Sequence, residues 1–288
     1  MITGRIKNNI QVICNNEKED RMAAKIITIT SGKGGVGKTT ATANISVALA
    51  QLGQKVVCID SDIGLRNLDV VLGLENRIVY DLIDVIEGRC RIRQAMIKDK
   101  RYEGMYLIPA AQTRNKNAIS PSDMIQMCNE IREETDWILI DSPAGIERGF
   151  KNAIAPAEEV LVITNPDVSA VRDADRIIGI IESEEKGPSK LIINRLNPEM
   201  VKRGKMLDAE DVLELLAVKL IGIVPEDERV LTSTNIGKPV VTHEKSTAGR
   251  AFRNIARRMM GDDIPLIDLE FKEGIFHRLS RIFNEGGE

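Results

Sequence analysis

The fold of this chain follows from Ser31-Gly32-Lys33-Gly34-Gly35-Val36-Gly37-Lys38-Thr39-Thr40. The β-branched run Lys25 to Thr30 precedes this stretch and predicts a buried parallel strand. The run Ala41 to Leu52 follows it and has a helical apolar pattern. A strand, a glycine-rich loop and a helix in this order predict a phosphate-binding loop, because glycines let successive N–H groups turn toward a phosphate.

The loop also carries the side chains that nucleotide chemistry needs. Lys38 is placed to reach the terminal phosphates, and the Thr39 hydroxyl is placed to ligate Mg²⁺. The start of the following helix adds unpaired N–H donors and a partial positive charge. The predicted nucleotide-binding set in this loop is Gly32, Lys33, Gly34, Gly35, Val36, Gly37, Lys38, Thr39 and Thr40.

Carboxylates follow two other predicted strands. The run Trp137 to Ile140 leads into Asp141, which we expect to hold the Mg²⁺ shell through water or Thr39. Gly145, just beyond it, is expected to donate its N–H to a γ-phosphate. The strand Lys55 to Asp60 places Asp60 and Asp62 at the edge where open α/β sheets bind ligands.

Length and composition favour one large α/β domain. The chain has 288 residues, of which 43% are hydrophobic and 29% charged, so that a single domain can bury a substantial core. We predict a doubly wound, mostly parallel sheet with helices on both faces over residues 22–264. The net charge of −3 gives no basic excess, so no specific nucleic acid is expected as a partner.

The two ends of the chain differ from this domain. Residues 1–21 lack the apolar segment of a signal peptide and are expected to be an extension, because Met22 opens a compact start. Residues 265–288 contain an acidic connector and then a segment that is apolar on one side of a helix. The apolar side comprises Phe271, Ile275, Phe276, Leu279, Ile282 and Phe283. Periodicity alone fits a last helix packed on the core as well as a helix lying on a membrane surface.

A second lysine, Lys33, stands within the glycine-rich loop. The form Gly-Lys-Gly-Gly-Val-Gly-Lys-Thr resembles the deviant Walker A ATPases, a group that includes the MinD and ParA families and the nitrogenase iron protein. The resemblance implies that Lys33 crosses the interface of an ATP-dependent homodimer and contacts the partner's nucleotide. Without this resemblance, Lys33 would be interpreted as an ordinary solvated charge in a loop.

Other segments resemble the MinD family in particular. They are the loop after Asp60 (SDIGLRNLD), residues 111–114, the segment Ser142 to Gly149 and the C-terminal helix, and the likeness covers roughly Ala23 to Phe283. It implies a Mg²⁺-dependent ATPase in which Lys33, Lys38, Asp60, Asp62 and Asp141 are catalytic. Asp62 orients the attacking water and contributes to the metal site with Thr39 and Asp141, while Asp60 lies near the metal shell.

The same resemblance assigns the base end of the nucleotide. Asn194 recognises adenine, Arg195 follows it, and Pro225 packs near the ring. An amide suits adenine because it both donates and accepts. An asparagine that only satisfies a turn has the same sequence signature.

Membership of the MinD family implies division-site selection, with a MinC-like inhibitor of division-ring assembly and a MinE-like activator as partners. The resemblance implies that Asp173 and Asp175 are partner contacts, although acids on a solvated helix face would give the same sequence pattern. The C-terminal helix then binds an anionic membrane surface reversibly. The expected location is cytoplasmic, on the inner membrane, or the stroma and inner envelope of a plastid.

Two alternatives stay open. A ParA-type DNA-segregating ATPase predicts a basic DNA-binding surface and no membrane helix. A carrier of metal clusters predicts an accessible cysteine pair, whereas Cys14, Cys58, Cys90 and Cys128 lie far apart in the sequence and Cys58 falls within an apolar strand.

Overall fold

The structure is a computed structural model that describes residues 23–112 and 119–267. The predictions for residues 1–21 and for the helix from Phe271 to Phe283 therefore lie outside the described residues.

An eight-stranded sheet runs through the described chain, in the order β3-β4-β2-β5-β1-β6-β7-β8. Every neighbouring pair is parallel except β3 and β4, which are antiparallel. The strands are β1 (Lys25–Thr30), β2 (Val56–Asp60), β3 (Ile97–Lys98), β4 (Met105–Ile108), β5 (Trp137–Asp141), β6 (Glu159–Thr164), β7 (Ser189–Leu196) and β8 (Lys219–Pro225). The predicted doubly wound, mostly parallel sheet is confirmed.

Eleven α-helices lie between or after these strands within the described residues. They are α1 (Lys38–Gln51), α2 (Leu68–Leu72), α3 (Leu82–Ile86), α4 (Ile92–Ala95), α5 (Pro121–Arg132), α6 (Arg148–Ile154), α7 (Val168–Ser183), α8 (Pro198–Lys202), α9 (Ala209–Leu216), α10 (Glu228–Asn235) and α11 (Thr247–Met259). Short 3₁₀ turns occupy Glu75–Arg77 and Val240–Thr242.

The helices cover both faces of the sheet because alternate strand residues point to opposite sides. Ile27 and Ile29 of β1 pack with α1 and α11 on one face, while Ile26 packs with α3, α4 and α5 on the other. A third cluster lies under α6, α7 and α9. Both faces are covered, so the site is left to the loops at the carboxyl ends of the strands.

Candidate functional site

The phosphate-binding loop connects β1 to α1 and depends on glycine at several points. Gly35 and Gly37 have φ angles of 80° and 100°, in the left-handed region that favours glycine. A Cβ atom on Gly37 would lie 2.3 Å from Asn194 Nδ2, and one on Gly32 would lie 2.2 Å from the carbonyl oxygen of Asp173. A Cβ atom on Gly34 or Gly35 would meet nothing within 4 Å. The loop is therefore pressed against β7 and α7 on one side and open on the other.

The first residues of α1 bring charge and hydroxyl groups to this loop. Lys38 begins the helix and is only 8% exposed, although its side chain is cationic. Thr39 and Thr40 are half-buried beside it. A buried ammonium needs anionic neighbours, so Lys38 suits a site for phosphate oxygens.

Asp141 ends β5 directly behind the loop and is held by two threonines of α1. The Thr39 hydroxyl donates to Asp141 Oδ2 at 2.7 Å, and the Thr42 hydroxyl donates to Oδ1 at 3.2 Å. Burial raises the pKa of Asp141 to about 6, against the lowering effect of Lys38 and the two hydroxyls. A carboxylate fixed in this way can orient Thr39 and metal-bound water without itself moving.

Asp60, at the end of β2, pairs in register with Asp141 of β5. Its Oδ1 accepts the N–H of Asp62 at 3.0 Å, and its Oδ2 accepts the N–H groups of Asn67 and Leu68, each at 3.2 Å. Burial and the charge of Asp141 raise the pKa of Asp60 to about 7. Asp60 thus lies beside the expected metal shell, and its contacts close the loop that carries the half-buried Asp62.

The loop after β5 approaches the phosphate-binding loop from the side. Gly145 has a φ angle of 90°, and its N–H donates to the carbonyl oxygen of Ser31 at 3.2 Å. A γ-phosphate contact by this N–H, as the sequence predicts, requires Ser31 to lose that hydrogen bond.

Lys33 is exposed and contacts the start of α7. Its Nζ donates to the Ser169 hydroxyl at 2.8 Å, and that hydroxyl donates to Asp167 Oδ1 at 2.9 Å. Asp167 also caps α7 by accepting the N–H of Ala170. Further along α7, Asp173 is half-buried and Asp175 is exposed. The structure thus brings Lys33 and the predicted partner acids to one side of the domain.

The predicted base-binding residues lie where β7 and β8 end. Asn194 is 7% exposed, and its Nδ2 donates to the carbonyl oxygen of Val36 at 2.7 Å. Arg195 is exposed, with a φ angle of 56°, and Pro225 is buried and pairs with Leu196. Asn194 therefore supports the phosphate-binding loop, and its part in adenine recognition stays a prediction.

The site fits Mg²⁺ and a nucleoside triphosphate by its donor chemistry. The oxygens of Thr39, Asp62 and Asp141 would hold Mg²⁺, which prefers oxygen ligands and retains several waters. The open side of the loop, lined by Gly34 and Gly35, leaves room for phosphates. When bound, the metal supplies neutralisation of charge on the phosphate oxygens.

Two contributors were not found from the sequence: Thr42 and Ser169. Thr42 follows Thr39 by three residues on one helix, so its spacing alone places it on the same side. Lys33 and Ser169 are 136 residues apart in the chain, so no local sequence pattern predicts their contact.

Within residues 23–112 and 119–267, the structure has no helix that is both long and apolar enough to cross a membrane.

Comparison with known proteins places the chain in a nucleotide-binding family. Residues 27–240 match the family model described as the CobQ/CobB/MinD/ParA nucleotide binding domain. The septum site-determining protein MinD of Synechocystis is 56% identical over 245 residues, which are 85% of this chain and 92% of that protein.

Solved structures give the same result. MinD in a MinC:MinD complex from Aquifex aeolicus aligns with a TM-score of 0.80 at 51% identity, covering 85% of this chain and 99% of that one. A MinD from Pyrococcus horikoshii, complexed with Mg-ADP, aligns with a TM-score of 0.75 at 30% identity, covering 84% and 100%. The chain therefore belongs to the MinD family of septum site-determining ATPases.

Proposed function

We propose that this protein hydrolyses ATP with Mg²⁺ as a dimer formed around two nucleotides, and that it acts in division-site selection. The observation that carries the proposal is the hydrogen bond from Thr39 to the buried Asp141, beside the buried Lys38. This arrangement supports the proposal, because it brings together a hydroxyl that can ligate a metal, a carboxylate that can orient that hydroxyl and an ammonium that can bind phosphate.

Each remaining residue of the site has a role in this proposal. Lys38 and the loop N–H groups bind the phosphates, and Asp62 orients the attacking water. Lys33 leaves Ser169 and reaches the partner's nucleotide, and Gly145 moves its N–H from Ser31 to the γ-phosphate. Asn194, Arg195 and Pro225 border the adenine. Stabilisation of phosphoryl transfer by positioned charges of this kind is the main catalytic device available to such a site.

Two partners belong to the proposal. The Aquifex MinD described above is complexed with MinC, and we extend a MinC-like partner and a MinE-like activator to this chain. The side of α7 that carries Asp173 and Asp175 is the proposed contact surface. It lies next to Lys33, so a partner there is close to the group that we expect to move on dimerisation.

Membrane binding is the last element of the proposal. The segment that contains Phe271, Phe276 and Phe283 would lie on an anionic bilayer at the inner membrane, or at the inner envelope of a plastid. One helix this short buries little apolar area and binds weakly. A dimer makes the second insertion intramolecular, with a gain of about 10²–10⁴ in avidity. ATP binding would therefore favour membrane binding, and hydrolysis would reverse it.

Flotation with anionic vesicles tests the membrane step. We expect the full chain to float with ATP and not with ADP, and a chain ending at Asp268 to stay in solution with either nucleotide. Equal flotation of all four samples would contradict the proposal. The ParA-type alternative would instead show salt-sensitive retention on DNA. The net charge of −3 does not favour that alternative.

A further inference from the structure

Two asparagines hold the phosphate-binding loop from the side of the sheet. Asn194 lies near the end of β7, and its Nδ2 donates to the carbonyl oxygen of Val36 at 2.7 Å. Asn165 is the first residue after β6, the strand that pairs with β7, and it is half-buried. The two side chains therefore reach the loop from adjacent strands.

The amide group of Asn165 fits its surroundings in one of its two orientations. In that orientation, Nδ2 donates to the carbonyl oxygen of Asn194 at 3.2 Å and to that of Val36 at 3.3 Å. In the reverse orientation, the amide oxygen would face these two carbonyl oxygens, and none of the three can donate a hydrogen bond. The Val36 carbonyl group thus accepts from both asparagines, and Asn165 also joins the two strand ends.

The backbone around Asn165 is fixed by its own contacts. Its carbonyl oxygen accepts the Asp167 N–H at 2.9 Å and the Thr164 hydroxyl at 3.2 Å. Beyond it, the start of α7 contacts another part of the loop, where Ser169 accepts from Lys33. A side chain on a backbone held in this way can set the orientation of the group that it contacts.

The Val36 carbonyl group controls the direction of a donor that can bind phosphate. It shares a peptide unit with the N–H of Gly37, and in a planar trans peptide the oxygen and the hydrogen point in opposite directions. The oxygen points toward the two asparagines, so the Gly37 N–H points away from β6 and β7. The loop is open on that side, since a Cβ atom on Gly35 would meet nothing within 4 Å.

We propose that Asn165 is a positioning residue for nucleotide binding, which with Asn194 holds the Val36 carbonyl group so that the Gly37 N–H faces a phosphate oxygen. The inference deepens the proposed function and rests on it. Asn165 acts through Val36 and need not touch the nucleotide. A donor that is oriented beforehand costs less ordering on binding, so the loss of one such hydrogen bond should weaken binding about fivefold.

The test compares five full-length proteins: the wild type, Asn165→Ala, Asn165→Asp, Asn197→Ala and Asn197→Asp. Asn165→Asp keeps the shape of the side chain but replaces the amide donor by an oxygen, so it tests the inference even where Asn165→Ala unfolds. Asn197 is the matched position, because it follows β7, is half-buried and precedes a proline, as Asn165 does after β6. Its side chain caps α8 and donates to Glu226.

The first measurement is the dissociation constant for Mg²⁺-ADP, obtained by isothermal titration calorimetry. We expect it to rise about fivefold in both Asn165 variants and to stay within about twofold in both Asn197 variants. Asn197→Asp controls for the negative charge that Asn165→Asp adds. The second measurement is the order parameter of the Gly37 amide in the nucleotide-free protein, obtained by NMR relaxation. We expect it to fall below the rigid value of about 0.85 in the Asn165 variants alone.

A Gly37 amide as rigid in Asn165→Asp as in the wild type would overturn the inference. Binding of Mg²⁺-ADP by the Asn165 variants within about twofold of the wild type, or an equal loss of affinity in the Asn197 variants, would do the same. Wild type that binds neither Mg²⁺-ADP nor Mg²⁺-ATP would overturn the proposed function, and this inference with it. The order parameter separates the two failures, because it is measured without nucleotide.

Discussion

The proposed nucleotide site has two halves that differ in how their groups are held. On the metal side, Asp141 is buried and accepts hydrogen bonds from Thr39 and Thr42, next to the buried Lys38. On the γ-phosphate side, the exposed Lys33 donates to Ser169, and the N–H of Gly145 donates to Ser31. The first half is fixed by contacts to the buried Asp141. In the second half, Lys33 and Gly145 donate to Ser169 and Ser31, which they would have to leave in order to contact a nucleotide.

This difference separates binding from switching. A buried network changes its partners only at a high cost in free energy, because each polar group that loses its partner is desolvated. An exposed hydrogen bond, such as that from Lys33 to Ser169, costs little to exchange, because water replaces the lost partner. We therefore expect variants of the metal side to lose nucleotide binding, and variants of the γ-phosphate side to lose dimerisation or turnover while nucleotide binding remains.

The largest effect is expected from Lys38→Ala. Removing the buried ammonium deletes charge-assisted contacts worth about 1.5–3 kcal/mol each, so affinity for Mg²⁺-ATP should fall at least about 100-fold. Isothermal titration calorimetry measures the loss, with Lys33→Ala as the matched control that keeps binding within about threefold. Lys38→Ala that binds ATP within tenfold of the wild type would remove Lys38 from the phosphate site.

A large effect on turnover alone is expected from Asp62→Ala. If Asp62 orients the attacking water, its loss should slow hydrolysis by about 10²–10⁴ while ATP binding and dimerisation persist. Phosphate release and gel filtration with ATP measure the two quantities on the same sample. Normal turnover by Asp62→Ala, or loss of its ATP-dependent dimer, would show that the residue has a different role.

The contact between Lys33 and Ser169 can be broken from either side, and the two variants should have opposite effects on the dimer. Lys33→Ala should abolish the ATP-dependent dimer, because the partner's nucleotide loses its cationic contact. Ser169→Ala should favour the dimer, by at most about fivefold in dissociation constant, since an exposed hydrogen bond contributes about 1 kcal/mol or less. Sedimentation velocity with ATP measures both. A weaker dimer for Ser169→Ala would mean that the serine serves the dimer itself.

Much of the fold could be predicted because its signals are local. Apolar runs rich in β-branched residues mark the buried parallel strands β1, β2 and β5, and the glycine spacing marks the turn into α1. Strand β3 was missed because Ile97–Lys98 is only two residues long and pairs antiparallel with β4 at the edge of the sheet. A pair of residues shows no periodicity.

The site residues also divide into those that local sequence patterns predict and those that they do not. Lys38, Thr39 and Asp141 could be found because the spacing of the loop and the acid after a strand are sequence patterns. The acceptors of Lys33 and Gly145, and the loop-closing role of Asp60, depend on distances between separate elements, which the chain topology sets and no short pattern contains.

The smallest effect tests whether the base side belongs with the fixed half. Asp227 follows Pro225, caps α10 by accepting the N–H of Arg229, and accepts the Ser246 hydroxyl at 2.6 Å. Asp227→Ala removes these acceptors and should lower the free energy of unfolding by about 1–2 kcal/mol at pH 7. Thermal or urea unfolding measures the change. Asp227→Asn, which keeps an oxygen acceptor, is the matched control.

The pH dependence of this loss gives a sharper criterion. Burial raises the pKa of Asp227, but hydrogen bonds from Ser246, Arg229 and Ala248 outweigh it, so the pKa lies below its usual value. The ionised carboxylate therefore stabilises the fold above its unfolded pKa of about 4, and this contribution is lost as the pH falls through the lower folded value. The stability gap between wild type and Asp227→Ala should narrow between about pH 5 and pH 2. An unchanged gap over that range would mean that the carboxylate charge contributes nothing, and that Asp227 holds the base-side loop only by its shape.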